Sequence, residues 1–154
     1  MAYLNIGDRA PDFKSFDQDG AEVKLTDFAG KMVILYFYPK ADTPGCTAES
    51  CNLRDNYSDL LNKGFEIIGV SADTQQKQKK FATKYNLPFI LLADENKEVL
   101  KAYGAWGLKK LYGREYEGII RTTYVINEHG KIEHVIKKVK TKDHTAQILD
   151  AINY

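Results

Sequence analysis

The chain has 154 residues, 44% of them hydrophobic and 28% charged, with a formal net charge of +1. That length suits one domain able to bury its core without disulfide staples or a structural metal, and a single compact unit over residues 1–154 is expected. The composition excludes a disordered or collagen-like chain, and lysines interleaved with acidic residues argue against nucleic acid or an anionic membrane as partner.

The opening run Met1–Asp8 has no basic segment followed by an apolar stretch, so no secretory signal is read and a cytoplasmic address is expected. The first strand-like run, Met32–Tyr38, is the longest apolar run and falls far short of the ~20 residues of a spanning helix, so no membrane span is expected. A helical pattern covers Pro44–Asn62, followed by a strand at Phe65–Ser71 and a helix at Thr74–Tyr85 that opens on Thr74 and closes before Pro88. Phe89–Leu92 reads as a strand and Asn96–Tyr103 as a short helix. The glycine-rich stretch Gly104–Gly118, with Trp106, Tyr112 and Tyr116, reads as an ordered loop. Two further strands, Thr122–Asn127 and Lys131–Lys137, flank a hairpin turn at Asn127-Glu128-His129-Gly130, and a last helix covers Asp143–Ile152. Strands alternating with helices, plus one antiparallel pair, predict an α/β fold with a mixed sheet flanked by helices.

Only two cysteines are present, Cys46 and Cys51. Five positions apart, they are no secreted disulfide framework, and in a reducing compartment such a pair points to catalysis, redox activity or metal binding. His129, His134 and His144 lack the spacing of a zinc site, so no metal is expected. The segment Pro39 to Cys46 leaves a buried strand and enters a helix, with Thr43 as N-cap and Pro44 at the first helical position. Cys46 then lies in the first turn, where unpaired N–H groups and the helix dipole favour a thiolate. A free thiol is only a few per cent ionised at pH 7, and substantial activation takes a drop of about 2 units, or about 2.7 kcal/mol. A helix end contributes about 0.3 to 1 kcal/mol, reaching about 2 in favourable buried geometry, so a second cation near the sulfur is required. Helical phase puts Cys46 on the face of Leu53, Tyr57, Leu60 and Leu61, toward the core, and turns Cys51 about 140° away, among Asn52, Asp55, Ser58 and Asn62, toward solvent. With both cysteines helical their Cα atoms are about 8.6 Å apart, beyond the ~7 Å limit for a disulfide, so the helix must open before they bond. A general thiol-disulfide exchanger favours Cys-x-x-Cys and is disfavoured by this spacing; a redox sensor or binding module remains the alternative to an enzyme.

The chain resembles the peroxiredoxin family, whose signature of Pro, three residues, Thr or Ser, two residues and Cys is matched by Pro39, Thr43 and Cys46. Ala10-Pro11-Asp12-Phe13, Asp27-Phe28-Ala29-Gly30-Lys31, Val70-Ser71-Ala72-Asp73 and Arg121-Thr122-Thr123-Tyr124-Val125-Ile126 look like family landmarks in family order. Cys51, five residues beyond Cys46, resembles the resolving cysteine of the peroxiredoxin Q, or bacterioferritin-comigratory, type. The resemblance implies a thioredoxin-like fold, no metal or organic cofactor, a monomer, hydroperoxide substrates, and reduction by thioredoxin or a similar dithiol protein. It makes Cys46 the peroxidatic nucleophile and Cys51 its resolving partner. Thr43 is implied to hydrogen-bond peroxide and thiolate, Pro39 to shield, Arg121 to be the activating cation, and Glu49 to orient Arg121. Beside these stand plainer readings: Cys51 as an incidental surface thiol, Thr43 as a cap alone, Arg121 as a solvated charge at a strand start.

Overall fold

The computed structural model describes residues 4–153, Leu111 by its backbone alone. The apolar run at Met32–Phe37 forms β3, the centre of a five-stranded sheet. It pairs in parallel with β4 (Phe65–Ser71), which pairs in parallel with β5 (Ile90–Ala93). On its other side β3 pairs antiparallel with β8 (Thr122–Ile126), and β8 with β9 (Ile132–Ile136), giving the order β5-β4-β3-β8-β9. The parallel pairs require crossovers, supplied by α1 (Pro44–Asp55) with α2 (Tyr57–Asn62), and by α3 (Gln75–Tyr85). The antiparallel pair needs only the turn at 127–131, where the Asn127 side chain accepts from the His129 and Lys131 amides and Gly130 supplies a φ of 77°.

Both faces of the sheet are covered, so its strands are nearly continuous in apolar residues. Val33, Leu35 and Phe37 pack with Ile68, Val70, Tyr103, Tyr124 and α4 (Glu98–Ala102) on one face. Ile34, Tyr36 and Tyr38 pack with Cys46, Leu53, Leu60, Phe81 and Ile148 of α5 (His144–Ala151) on the other. The twofold alternation of β3 thus gives the sheet two apolar faces, and Cys46 lies in the core layer that four helices make on one of them.

Three features depart from the sequence reading. The helix expected over 44–62 breaks at Asn56, which leaves helical geometry at φ −110° and ψ 8° and turns its side-chain amide back onto the Asn52 carbonyl at 2.8 Å. Asparagine competes with the backbone in this way, and the break separates α1 from α2. Leu61 accordingly falls on an exposed surface, while Leu53 and Leu60 are buried. The stretch expected as a loop at 104–118 is instead a hairpin, β6 (Trp106–Leu111) and β7 (Arg114–Ile119). Its two-residue turn places Tyr112 and Gly113 at φ 51° and 77°, as a tight hairpin turn between right-twisted strands requires. A short hairpin of β1 (Lys14–Phe16) and β2 (Glu22–Lys24) had no counterpart in the sequence reading; three-residue strands leave too few residues for periodicity to register.

Candidate active site

Beyond β3 the chain runs through Pro39, half-buried, to Asp42, whose φ of 62° is left-handed. That turn is held from outside: the Asp42 carboxylate accepts from Lys84 Nζ at 2.8 Å and the Tyr85 hydroxyl at 2.6 Å, and Asp73 accepts from the Ala41 amide at 2.7 Å. The Lys84 and Tyr85 donors draw the Asp42 carboxyl below its usual range. Helix α1 then begins with Pro44 in its first turn. Thr43 stands at the N-cap with extended backbone, but its hydroxyl does not cap; Oγ1 donates to the Lys40 carbonyl at 2.8 Å. The N-cap position expected from sequence is thus occupied by Thr43, but its side chain does not make the cap bond. A hydroxyl bound to a carbonyl directs its hydrogen there and keeps oxygen lone pairs for another donor.

Cys46 sits in the first turn of α1 and is 1% exposed. Arg121, between β7 and β8, reaches it: Nη2 donates to Cys46 Sγ at 3.3 Å and Nη1 donates to Glu49 Oε1 at 2.7 Å. Because β8 lies beside β3 in the sheet, the residue ahead of β8 and the helix that follows β3 meet at one end of it. The approach is close at Gly45, where a Cβ would stand 3.2 Å from Arg121 Nη2, so a side chain there would have to displace the guanidinium by a few tenths of an ångström. Burial pulls the guanidinium's pKa down, but Glu49 and Cys46 outweigh it and the result is raised, so the cation is fixed. Lys109, on β6, is drawn down by its burial and by Arg121, with Cys46 opposing.

Glu49 is fully buried on the inner face of α1, and burial pushes its pKa up to about 7 against the pull of Arg121. Among the described residues its Oε2 has no hydrogen-bond partner, and it stands 3.4 Å from Nε2 of His144, also fully buried. Burial takes His144 down to about 4, with Gln147 opposing and Arg121 reinforcing.

Cys51 lies farther along α1, unbonded to Cys46 and half-buried instead of fully solvent-facing. Packing against α5 explains the difference: next to it, Asn52 accepts from the Thr145 amide at 2.8 Å and donates to the Lys142 carbonyl at 3.2 Å, which covers that side of the helix. Burial raises the Cys51 pKa, offset by Arg54, with Asp55 adding to the rise.

The structure thus brings together Cys46, Arg121 and Glu49, with Thr43 at the helix entrance, Pro39 on the approach and Cys51 more than a turn away. The sequence reading missed Gly45 and passed over His144 and Lys109. A glycine just ahead of the cysteine was the one local signal; the other two reach the site from distant strands and helices.

A model of the AhpC/TSA family matches residues 6–135. The chain belongs to the AhpC/TSA family. Among its AhpC/TSA relatives, Peroxiredoxin Bcp of Escherichia coli strain K12 is 47% identical over 150 residues, 97% of this chain and 96% of the relative. Peroxiredoxin Bcp of Bacillus subtilis strain 168 is 45% identical over 149 residues, 97% of this chain and 95% of the relative. The solved structure of Xanthomonas campestris Peroxiredoxin Q superposes with a TM-score of 0.86 at 29% identity, over 92% of this chain and 89% of that one. Within AhpC/TSA the chain is of the peroxiredoxin Q/Bcp type, a thiol-dependent peroxidase on a thioredoxin-like fold.

Proposed function

We propose that Cys46 is the peroxidatic nucleophile, Arg121 its activating cation, and Cys51 the resolving thiol. The observation that carries this is the Arg121 fork, which spans Cys46 Sγ and Glu49 Oε1 in one planar group. A fixed cation beside a first-turn cysteine supplies the stabilisation that the helix end alone does not. The Cys46 thiolate attacks the hydroxyl oxygen of a hydroperoxide, the O–O bond breaks, and the leaving oxygen takes up a proton to depart as water or alcohol. Arg121 donors stabilise the charge that develops on that oxygen. Thr43 Oγ1, its own hydrogen on Lys40, accepts from the peroxide hydroxyl, and Pro39 limits access of water from the strand side.

The Cys46 sulfenic acid then condenses with the Cys51 thiol, forming the disulfide and releasing water. Both cysteines occupy one helix and are unbonded, so the first turn of α1 must unwind for this step. A thioredoxin-type dithiol restores both thiols by exchange. The cycle needs no metal or organic cofactor, and residues 1–154 act as one domain, a cytoplasmic monomer. Among the described residues no helix is long and apolar enough to cross a membrane.

Peroxide consumption with a thioredoxin reducing system tests the cycle. Cys46→Ser is expected to lose all turnover; Cys51→Ser is expected to lose thioredoxin-driven turnover and to accumulate the sulfenic acid by intact mass. Normal turnover of Cys51→Ser makes Cys51 incidental, and a stable dimer by ultracentrifugation overturns the monomer.

A further inference from the structure

The buried pair behind Arg121 has a hydrogen-bond pattern that identifies where protons sit. Gln147 Oε1 accepts from the Lys140 amide at 2.8 Å, while its Nε2 donates to the Lys138 carbonyl at 2.7 Å. The two backbone partners fix which end of that amide is oxygen, so His144 Nδ1, 2.9 Å from Oε1, must be the donor. A neutral His144 therefore keeps its lone pair on Nε2, where it accepts from Thr123 Oγ1 at 2.7 Å. Glu49 Oε2 stands 3.4 Å from that same Nε2, buried and without a hydrogen-bond partner among the described residues. An ionised Glu49 beside a neutral His144 would leave two acceptors facing each other in a dry pocket, an arrangement that burial penalises. One proton between them removes the conflict.

We propose that Glu49 and His144 hold one proton between them, carried by Glu49 as a neutral carboxylic acid, so that the Arg121 charge is left for the Cys46 sulfur; Glu49 and His144 are then positioning residues. The inference rests on the peroxidase reading above and deepens it. Glu49 then still orients Arg121, as the resemblance implies, but does so without a negative charge. A neutral acid still accepts from Nη1 through Oε1, so the fork keeps its geometry while its charge is not cancelled. Burial favours this placement on both sides, with Glu49 raised to about 7 and His144 lowered to about 4. The alternative, an imidazolium at His144, would add a second buried cation close to Arg121.

The surroundings of Glu49 leave the assignment intact. From its own helix come Cys46 and the hydroxyl of Ser50, the latter bonded to the Tyr36 hydroxyl of β3 at 2.8 Å. Tyr36 is held neutral, its pKa raised by burial first and further by Tyr38, with Glu49 and Cys46 adding to the rise. From ahead of β8 and from β8 itself come Arg121 and Thr123; from α5 comes His144; the turn Thr141–Asp143, carrying Lys142 and Asp143, packs on the same helix. Lys109 of β6 acts on Arg121 and Cys46.

As pH rises through about 7 the acid ionises, and the new negative charge both cancels Arg121 and faces the sulfur. Infrared difference spectra of the reduced protein between pH 6 and pH 8 test this directly. A protonated carboxylic-acid band is expected at pH 6, lost toward pH 8, and absent from Glu49→Gln. In His144→Leu the band should shift in frequency, because the imidazole that Oε2 faces at 3.4 Å is gone; Thr123→Val, which keeps the imidazole, should shift it less. The rate constant for peroxide should fall severalfold with the same midpoint in wild type, and Glu49→Gln should lose that midpoint whatever its absolute rate. Absence of the band at pH 6, its survival in Glu49→Gln, or an unchanged midpoint in that variant overturns the proposal. A wild type that shows the band yet consumes no peroxide would sink the peroxidase reading and leave the shared proton standing.

Discussion

One helix carries two cysteines in opposite circumstances. Cys46, in the first turn of α1, is almost wholly buried, lies against a guanidinium and belongs to the core layer with Tyr36 and Leu53. Cys51 is half-buried, and burial raises its pKa, favouring the thiol. The difference teaches that a two-thiol cycle needs different environments at its two sulfurs. The attacking sulfur must be anionic before peroxide arrives, whereas the resolving one has only to reach a sulfenic acid after the helix has opened. In the cycle proposed above, oxidation would remove the charge that Arg121 Nη2 faces and so weaken the tie between Arg121 and Cys46, releasing the helix at the end where reaction occurred.

The strongest way to break this contrast is to remove the cation. Arg121→Gln keeps a planar donor but not the charge, and stopped-flow peroxide reduction is expected to slow by about 10²- to 10³-fold. Arg121→Lys should recover only part of the loss, because a point charge does not span Sγ and Oε1 together. Wild-type rates in Arg121→Gln would mean that the helix end alone activates Cys46.

The buried pair sharpens the contrast through stability. Glu49 has a folded pKa of about 7 against an ordinary 4.5, so its contribution is present below 4.5 and lost as pH rises through 7. His144 has a folded pKa of about 4 against an ordinary 6.5, so its contribution is present above 6.5 and lost as pH falls through 4. The two trends oppose each other, and wild type should show little net slope from them. Urea denaturation of Glu49→Gln should gain stability relative to wild type as pH rises from 4.5 to 7, and His144→Leu should lose it over the same range, each by roughly 3 kcal/mol. Parallel profiles for all three proteins would remove the pair from the titration.

What the sequence disclosed follows the same division between local and distant. Cys46, Thr43 and Pro44 were legible because a strand exit, a proline and a cysteine lie within a few residues, and a short stretch suffices to put a thiol in a first helical turn. The α/β alternation was legible because β3, β4 and α3 each show their own periodicity. Arg121 came from an energetic need and a family motif together, and the fold supplies its contact through the pairing of β3 with β8. His144 was illegible: its partners are Glu49, Thr123 and Gln147, two of them on other elements, and the histidine spacing tested for metal carried no information about a shared proton. The hairpin of β6 and β7 was hidden because its turn places Tyr112 at positive φ, where asparagine or glycine is the usual signal.

The smallest expected effect decides which end of α1 moves. Asn52, adjacent to Cys51, is tied to the Thr145 amide and the Lys142 carbonyl, contacts that oxidation of Cys46 leaves untouched. The first turn has the backbone bond from the Thr47 amide to the Thr43 carbonyl at 2.8 Å and the Arg121 tie, and in the proposed cycle the second of these is what oxidation would weaken. Opening should therefore start at Cys46 and leave the Asn52 anchor in place. Removal of two hydrogen bonds in Asn52→Ala is expected to lower overall stability by about 1 to 3 kcal/mol while changing the rate of Cys46–Cys51 disulfide formation by less than about twofold. Rapid-quench mass analysis after one equivalent of peroxide measures that rate. A speed-up of about tenfold would mean instead that the Cys51 half must detach from α5 before the sulfurs meet, and that the resolving cysteine is the one that travels.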